Sequence, residues 1–230
     1  IRKEKPDWVT FWGAGSGMNS TAMTNAARIN FPRDRMMYVT FGAAEEDMYP
    51  AGDAAVGTYA VANALPGEYP LVKDIKSKVY GSGKGNLADE SRIGSVYWNR
   101  GLGAAVMWIE GLRNAQKMHN KVGKAVNGAE FRDGYEAIDM NEARMKELGI
   151  DGMLAPFAIS CENHEGAGKF AVMQWDGEKF NQVTGWEAPL DPKFIRGLVE
   201  TSAAKFAKEN NITPKTVSYT HLTLPTKGIV

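Results

Sequence analysis

Cysteine is almost absent from this chain: Cys161 is the only one among 230 residues. No disulfide can form within it, and no multi-cysteine metal cluster can be built. Neither sign of charge is in excess, since 27 basic and 27 acidic side chains cancel. Basic runs never exceed a couple of residues, so a nucleic-acid groove or an anionic membrane surface has no electrostatic support. Long apolar runs are missing as well. The longest is far too short to span a bilayer, and no direct membrane insertion is expected. What the chain does have is 43% hydrophobic content, enough for a substantial core in one large domain or two modest ones.

The order of patterns is that of an α/β protein. Trp8–Trp12 is β-rich and apolar, and it ends in Gly13-Ala-Gly-Ser-Gly17. Asn19 and Ser20 are candidate caps for a helix with Ala22, Met23, Ala26, Ala27 and Ile29 at helical spacing, broken by Phe31–Asp34. A second strand, Met36–Phe41, leads into the acidic loop Gly42–Tyr49, and Gly57–Ala64 reads as a third. Beyond Pro66 the spacing predicts helices over Leu71–Tyr80 and Leu102–Met118. In the second of these, Leu102, Ala105, Val106, Ile109 and Leu112 share one face. A short helix over Glu142–Leu148 is closed by Gly149. Asp176-Gly177, between two β-rich runs, is the best hairpin signal in the chain. Phe194, Ile195, Leu198, Val199, Ala203 and Phe206 predict a last amphipathic helix. Val217–Thr226 (VSYTHLTLPT) reads as translated sequencing adapter, so 217–230 is set apart as an artefact without functional weight and is expected to be disordered or packed only incidentally.

Open parallel sheets take their ligands just beyond the carboxyl ends of the strands, which here means Trp12–Asn19 and Phe41–Asp47. Gly15 and its neighbouring glycines let backbone N–H groups face a small anionic group at a helix start. Ser16 and Asn19 are candidate hydrogen-bonding side chains, and Trp12 and Phe41 are candidate walls for an apolar tail. Glu45 or Glu46 is placed to hold a cationic group such as an α-ammonium. Each has a structural alternative: a tight turn for the glycines, core for Trp12, a helix cap for Asn19, and a solvated loop for the acids.

Chemistry beyond binding finds little footing. Gly13-x-Gly15-x-Gly17 partly imitates a dinucleotide fingerprint, but its third glycine comes one residue early. A nucleotide-dependent oxidoreductase would also need a hydride relay, for which His119 and His164 are the only candidates outside the tail. Cys161-Glu-Asn-His164 supplies too few ligands for zinc and reads as a polar turn with an incidental thiol. No nucleophile elbow, paired carboxylates or phosphate-loop lysine occurs. The expectation is therefore no catalytic residue, no metal and no cofactor.

Trp8–Ile29, Phe41–Asp47 and Ala51–Gly57, followed by Tyr97–Ala115, Pro156–Gly168, Gln174–Gly177 and Leu198–Lys208, resemble in their order the C-terminal part of type 1 periplasmic binding proteins. The resemblance covers nearly all of Asp7–Asn211. It implies two Rossmann-like α/β lobes that close on a ligand, of which only the C-terminal part of the fold is present here, with a late antiparallel hairpin. Residues 1–65 would begin the C-terminal lobe, 66–168 would complete the N-terminal lobe, and 169–216 would return through the hinge. The first part of the N-terminal lobe would lie upstream of Ile1. The implied function is the extracytoplasmic or periplasmic substrate-binding component of an ABC transporter. It would bind a branched-chain amino acid, or a related small carboxylate or aromatic solute, and deliver it to the transmembrane permease. The resemblance puts a ligand-gripping acid about where Gly42 or Ala43 stands, which brings Ala43 into the candidate site and keeps the carboxylate-bearing or aromatic solute open.

Overall fold

Short runs of β-branched and aromatic residues become strands where both faces can be covered. The computed structural model describes residues 1–13, 16–39, 43–161, 163–188 and 191–213. Of the candidate site residues, Gly15 and Phe41 lie outside the described residues, as do the side chain of Ser16 and the adapter-like segment. The strands are β1 (Val9–Phe11), β2 (Met36–Val39), β3 (Tyr59–Ala62), β4 (Asp139–Met140), β5 (Phe157–Ala158), β6 (Ala171–Trp175) and β7 (Phe180–Gln182). The helices are α1 (Ser16–Arg28), α2 (Glu45–Met48), α3 (Pro70–Ile75), α4 (Val96–Met118), α5 (Gly128–Tyr135), α6 (Glu142–Leu148) and α7 (Pro192–Glu209). They fall into two compact units. One comprises Ile1–Trp108, Met140–Pro156 and Lys169–Glu187, and the other Ile109–Asp139, Phe157–Gly168 and the residues from Ala188 onward.

The first unit holds a five-stranded sheet in the order β1-β2-β3-β6-β7. β1, β2 and β3 are parallel, with Phe11 opposite Tyr38 and Val39 opposite Val61. β6 then joins β3 antiparallel, with Tyr59 opposite Gln174. Methionines and aromatics fill the core: Met23, Met36, Met48, Met173, Tyr38 and Trp175 are all essentially closed to solvent. Unbranched thioethers suit the irregular gaps between short strands and helices. On α1 the buried face is Asn19, Met23 and Ala26, the four- and three-residue steps that put side chains on one stripe. The helix ends where Asn30 turns left-handed at φ 56 and the Phe31 N–H reaches back to the Ala26 carbonyl at 3.0 Å.

Two expectations for α4 need correcting. It starts at Val96, six residues before Leu102, and its buried face carries Val96, Asn99, Gly103, Val106, Glu110, Gly111 and Ala115. Ile109 and Leu112, expected on the packed face, are 49% and 38% exposed. The small residues decide the face, because they admit bulkier neighbours: Leu154 packs over Gly103, and Tyr135 over Gly111. In the second unit α5 and the end of α4 meet nearly backbone to backbone. A side chain on Gly134 would overlap the Ala115 N–H and the Gly111 carbonyl. Asn127 and Glu130 form a reciprocal capping box at the start of α5, and Glu130 also takes Lys121 at 2.7 Å.

The hairpin forms where Asp176-Gly177 predicts it. Asp176 accepts the N–H groups of Glu178 and Lys179 at 2.8 and 2.9 Å, and the Asn181 amide at 2.7 Å. Gly177 adopts φ 113, a region that L side chains rarely enter. Those backbone donors stabilise the carboxylate and hold its pKa down at about 2. A depressed folded-state value means stability that is present above the unfolded value and lost as pH falls toward the folded one. Wild-type melting temperature should therefore drop more steeply than that of Asp176→Asn between about pH 4 and pH 2. Parallel acid-melting curves for the two proteins would remove Asp176 from this account.

Candidate functional site

Because β1 and β2 are adjacent and parallel, the segments leaving their carboxyl ends start side by side on one edge of the sheet. The first runs through Trp12 and Gly13 into α1, and the second runs through Ala43 and Ala44 into α2. Trp12 stands 72% exposed at the edge. It is not core in this chain. Gly13 is needed because its neighbours leave no room: a Cβ there would overlap Asn19 Oδ1 and press on the Phe11 ring.

Asn19 is buried, and its amide donates to Asp47 Oδ1 at 2.9 Å. The two strand-end segments are thus tied together by a hydrogen bond that closes from α1 to α2. Asn19 is not the cap of α1, which already begins at Ser16. Its Oδ1 has no hydrogen-bond partner. Ala43 is fully buried and packs in the core beside Ala44 and Met48.

The acids are not a solvated loop. Glu45 Oε2 accepts the Val96 N–H at 2.9 Å, Glu46 Oε1 accepts from Ser95 Oγ at 3.1 Å, and Asp47 Oδ2 accepts from the Tyr97 hydroxyl at 2.8 Å. Three consecutive acids of α2 therefore hold three consecutive residues at the start of α4. The open N–H groups and positive end of a long helix attract carboxylates. Arg92 stands 3.9 Å from Glu46, and Arg100 lies over the Tyr97 ring at 5.4 Å. Burial raises the pKa of Glu45; the Val96 N–H works against that rise, and neighbouring Glu46 adds to it. Burial, and then the bond to Asp47, push the Tyr97 phenol up.

Ser95, Tyr97 and Arg92 were not among the residues read from the sequence as a site, and Asp47 was read only as part of the acidic strand-end segment. Their pairing joins positions about fifty residues apart, and no local pattern announces it. Asn19 and Glu45 have partners within the chain, Asp47 and the Val96 N–H. Next to Cys161 and His164, the Asn163 N–H donates to the Ser160 carbonyl at 3.2 Å and to the Ser160 hydroxyl at 3.1 Å. His164 pairs there with Glu136 at 3.3 Å. Among the described residues, no group of three or more His, Cys, Asp or Glu side chains is placed to hold a metal ion, and no helix is long and apolar enough to cross a membrane.

Residues 1–180 match the periplasmic binding protein family. The chain belongs to that family. A solved structure described as an ABC transporter permease from the Pseudomonas fluorescens group is 36% identical, with a TM-score of 0.83 over 94% of this chain and 51% of that one. A branched-chain amino acid ABC transporter from Thermus thermophilus, solved with bound valine, is 18% identical, with a TM-score of 0.66 over 85% of this chain and 49% of that one. The substrate-binding protein LivJ from Streptococcus pneumoniae, solved with isoleucine, is 12% identical, with a TM-score of 0.52 over 82% and 47%. These last two likenesses concern the fold. No curated protein matches the chain. The chain spans about half the length of the structures it resembles, and its α/β architecture is part of a type 1 periplasmic binding protein fold.

Two stability measurements probe this edge of the periplasmic binding protein fold. Gly13→Ala should cost about 1–3 kcal/mol, the usual range for overpacking, and a urea midpoint equal to wild type would contradict the close approach of Asn19. For Glu45, a raised folded-state pKa means stability that grows as pH falls from neutral through that value toward the unfolded one, and that is lost as pH rises again. Glu45→Gln keeps an acceptor for Val96 but cannot titrate. The stability difference between wild type and Glu45→Gln should therefore shift in favour of wild type as pH is lowered from 7 toward 5, roughly the range above the free carboxylate value. A difference independent of pH would refute the shift. Glu45→Ala, which also removes the acceptor, should lose about 0.5–2 kcal/mol, as other helix-cap deletions do.

Proposed function

We propose that this chain is part of the extracytoplasmic solute-binding component of an ABC transporter. It contributes one side of a cleft that closes on a branched-chain amino acid or a related small carboxylate or aromatic molecule, and the closed form is what the permease recognises. Family membership supports the class of function. The observation that carries the site is the adjacency of two parallel strands whose carboxyl ends bear an exposed Trp12 and the start of α1. The binding edge on this proposal takes Trp12, Gly15, Ser16 and Phe41, while Asn19, Ala43, Glu45 and Glu46, buried or bonded within the chain, form the framework behind it. In this reading 1–65 and 169–216 belong to the C-terminal lobe and hinge, and 66–168 to the N-terminal lobe.

Closure needs no chemistry at the ligand. A solute that touches both lobes stabilises the shut state by the difference between its affinities for shut and open forms, and the role is binding rather than turnover. The test is a thermal-shift and calorimetric screen of the protein expressed from its complete reading frame, against amino acids and small carboxylates. At least one should raise the melting temperature, and Trp12→Ala should weaken that ligand by about tenfold or more, as expected for loss of a buried aromatic contact. If Trp12→Ala binds like wild type, this edge is not the site. If nothing in the panel binds, the solute-binding reading fails.

A further inference from the structure

We infer that the groove between β1 and α1 is the seat of a helix encoded immediately ahead of Ile1, and that this helix leads out of a further strand paired in parallel onto the outer edge of β1. The inference rests on family membership and on the reading that part of the fold precedes Ile1. It does not depend on the solute.

Three observations point to that occupant. β1 is the outermost strand of the five-stranded sheet, with β2 on its inner side, so its outer edge presents backbone groups of the kind that pair with another strand. Beside that edge lies a groove lined by Val9 and Phe11 of β1 and by Ala22, Ala26 and Ile29. The last three follow one another at steps of four and three residues, one stripe along the flank of α1, and alanines there let a neighbouring helix come close. Ile1 completes the lining. The Lys5 N–H donates to the Ile1 carbonyl at 2.8 Å, which turns the leading residues back and sets the first one against the groove. Residues ahead of Ile1 therefore start there.

Handedness selects a helix as the occupant. Crossovers between parallel strands are almost always right-handed. A strand outside β1, connected to it in the same direction as β1 is connected to β2, puts its crossover helix on the face that α1 covers, next to α1. A solute matches the groove poorly. Val9 opens β1, Met36 opens β2 and Ile29 follows α1, so the groove lies toward the amino ends of the strands, whereas open parallel sheets bind ligands beyond the carboxyl ends. The chain spans about half the length of the family structures it resembles, which leaves room for both elements. The lobe that holds β1, β2 and β3 then begins ahead of Ile1, not at it.

The test uses the protein expressed from its complete reading frame. The stretch of about 20 residues ahead of Ile1, enough for a crossover helix, should show apolar residues at helical spacing. A reading frame that begins within that stretch overturns the inference. A photoreactive benzoylphenylalanine in place of Asn25, which is exposed and lines the groove, should cross-link to the same stretch when the peptides are mapped by mass spectrometry. Cross-links only to residues after Ile1, or to a second copy, overturn it. In the unsubstituted protein, hydrogen exchange at single-residue resolution should find the N–H groups of Val9, Thr10 and Phe11 all protected to within about tenfold of those of β2. Faster exchange at the outward N–H groups than that removes the added strand, and the inference with it. Each of these outcomes leaves the solute-binding reading to its own test.

Discussion

The attachment of α2 to α4 is the interaction on which the first unit depends. Three side chains in the first turn of a very short helix hold the first turn of a very long one, residue against residue. A four-residue helix such as α2 has no stability of its own, since the nucleation cost exceeds what one turn returns. It persists because Glu45 takes the Val96 N–H at the start of a long helix, while Glu46 and Asp47 accept from the Ser95 and Tyr97 hydroxyls. The bond from Asp47 onward to Asn19 extends the same set of contacts to α1. The strand-end edge, the two helices that flank it and the start of α4 thus form one polar assembly over a methionine-rich core. A charge change at any of the three acids is felt first as a change in helix packing.

The parts of this molecule legible in the sequence are those governed by local rules. The alternation of strand and helix through Ala62, the left turn at Gly149 and the Asp176-Gly177 hairpin all follow from short-range pattern or turn chemistry. The start of α4 was not legible, because Val96, Tyr97 and Trp98 are weak helix formers and the group that fixes that end lies in Glu45. The packed face of α4 was misread for a related reason. Large apolar residues were taken as the inward ones, whereas Gly103 and Gly111 face inward and let neighbouring side chains come close.

The site is legible to a lesser degree. That Trp12, Asn19 and the Glu45–Asp47 run follow the carboxyl ends of adjacent strands could be argued from topology alone. What those residues do could not, because an acid that caps a distant helix and an acid that waits for a ligand have the same sequence signature. Burial and hydrogen-bond partners separate the two, and those of Glu45 and Glu46 lie at the start of α4.

The antiparallel addition of β6 to β3 has a bearing on how the molecule comes to be made. Tyr59 pairs with Gln174, so the edge of β3 is complete only after more than a hundred further residues have left the ribosome. Until then β1, β2 and β3 present an unpaired strand edge of the kind that invites intermolecular pairing. Distant pairings of this sort also slow folding, because the intervening loop must be ordered before the contact is made. Assembly of the sheet is therefore paced by the arrival of the β6–β7 hairpin, whose tight turn at Asp176 holds its two strands in register locally.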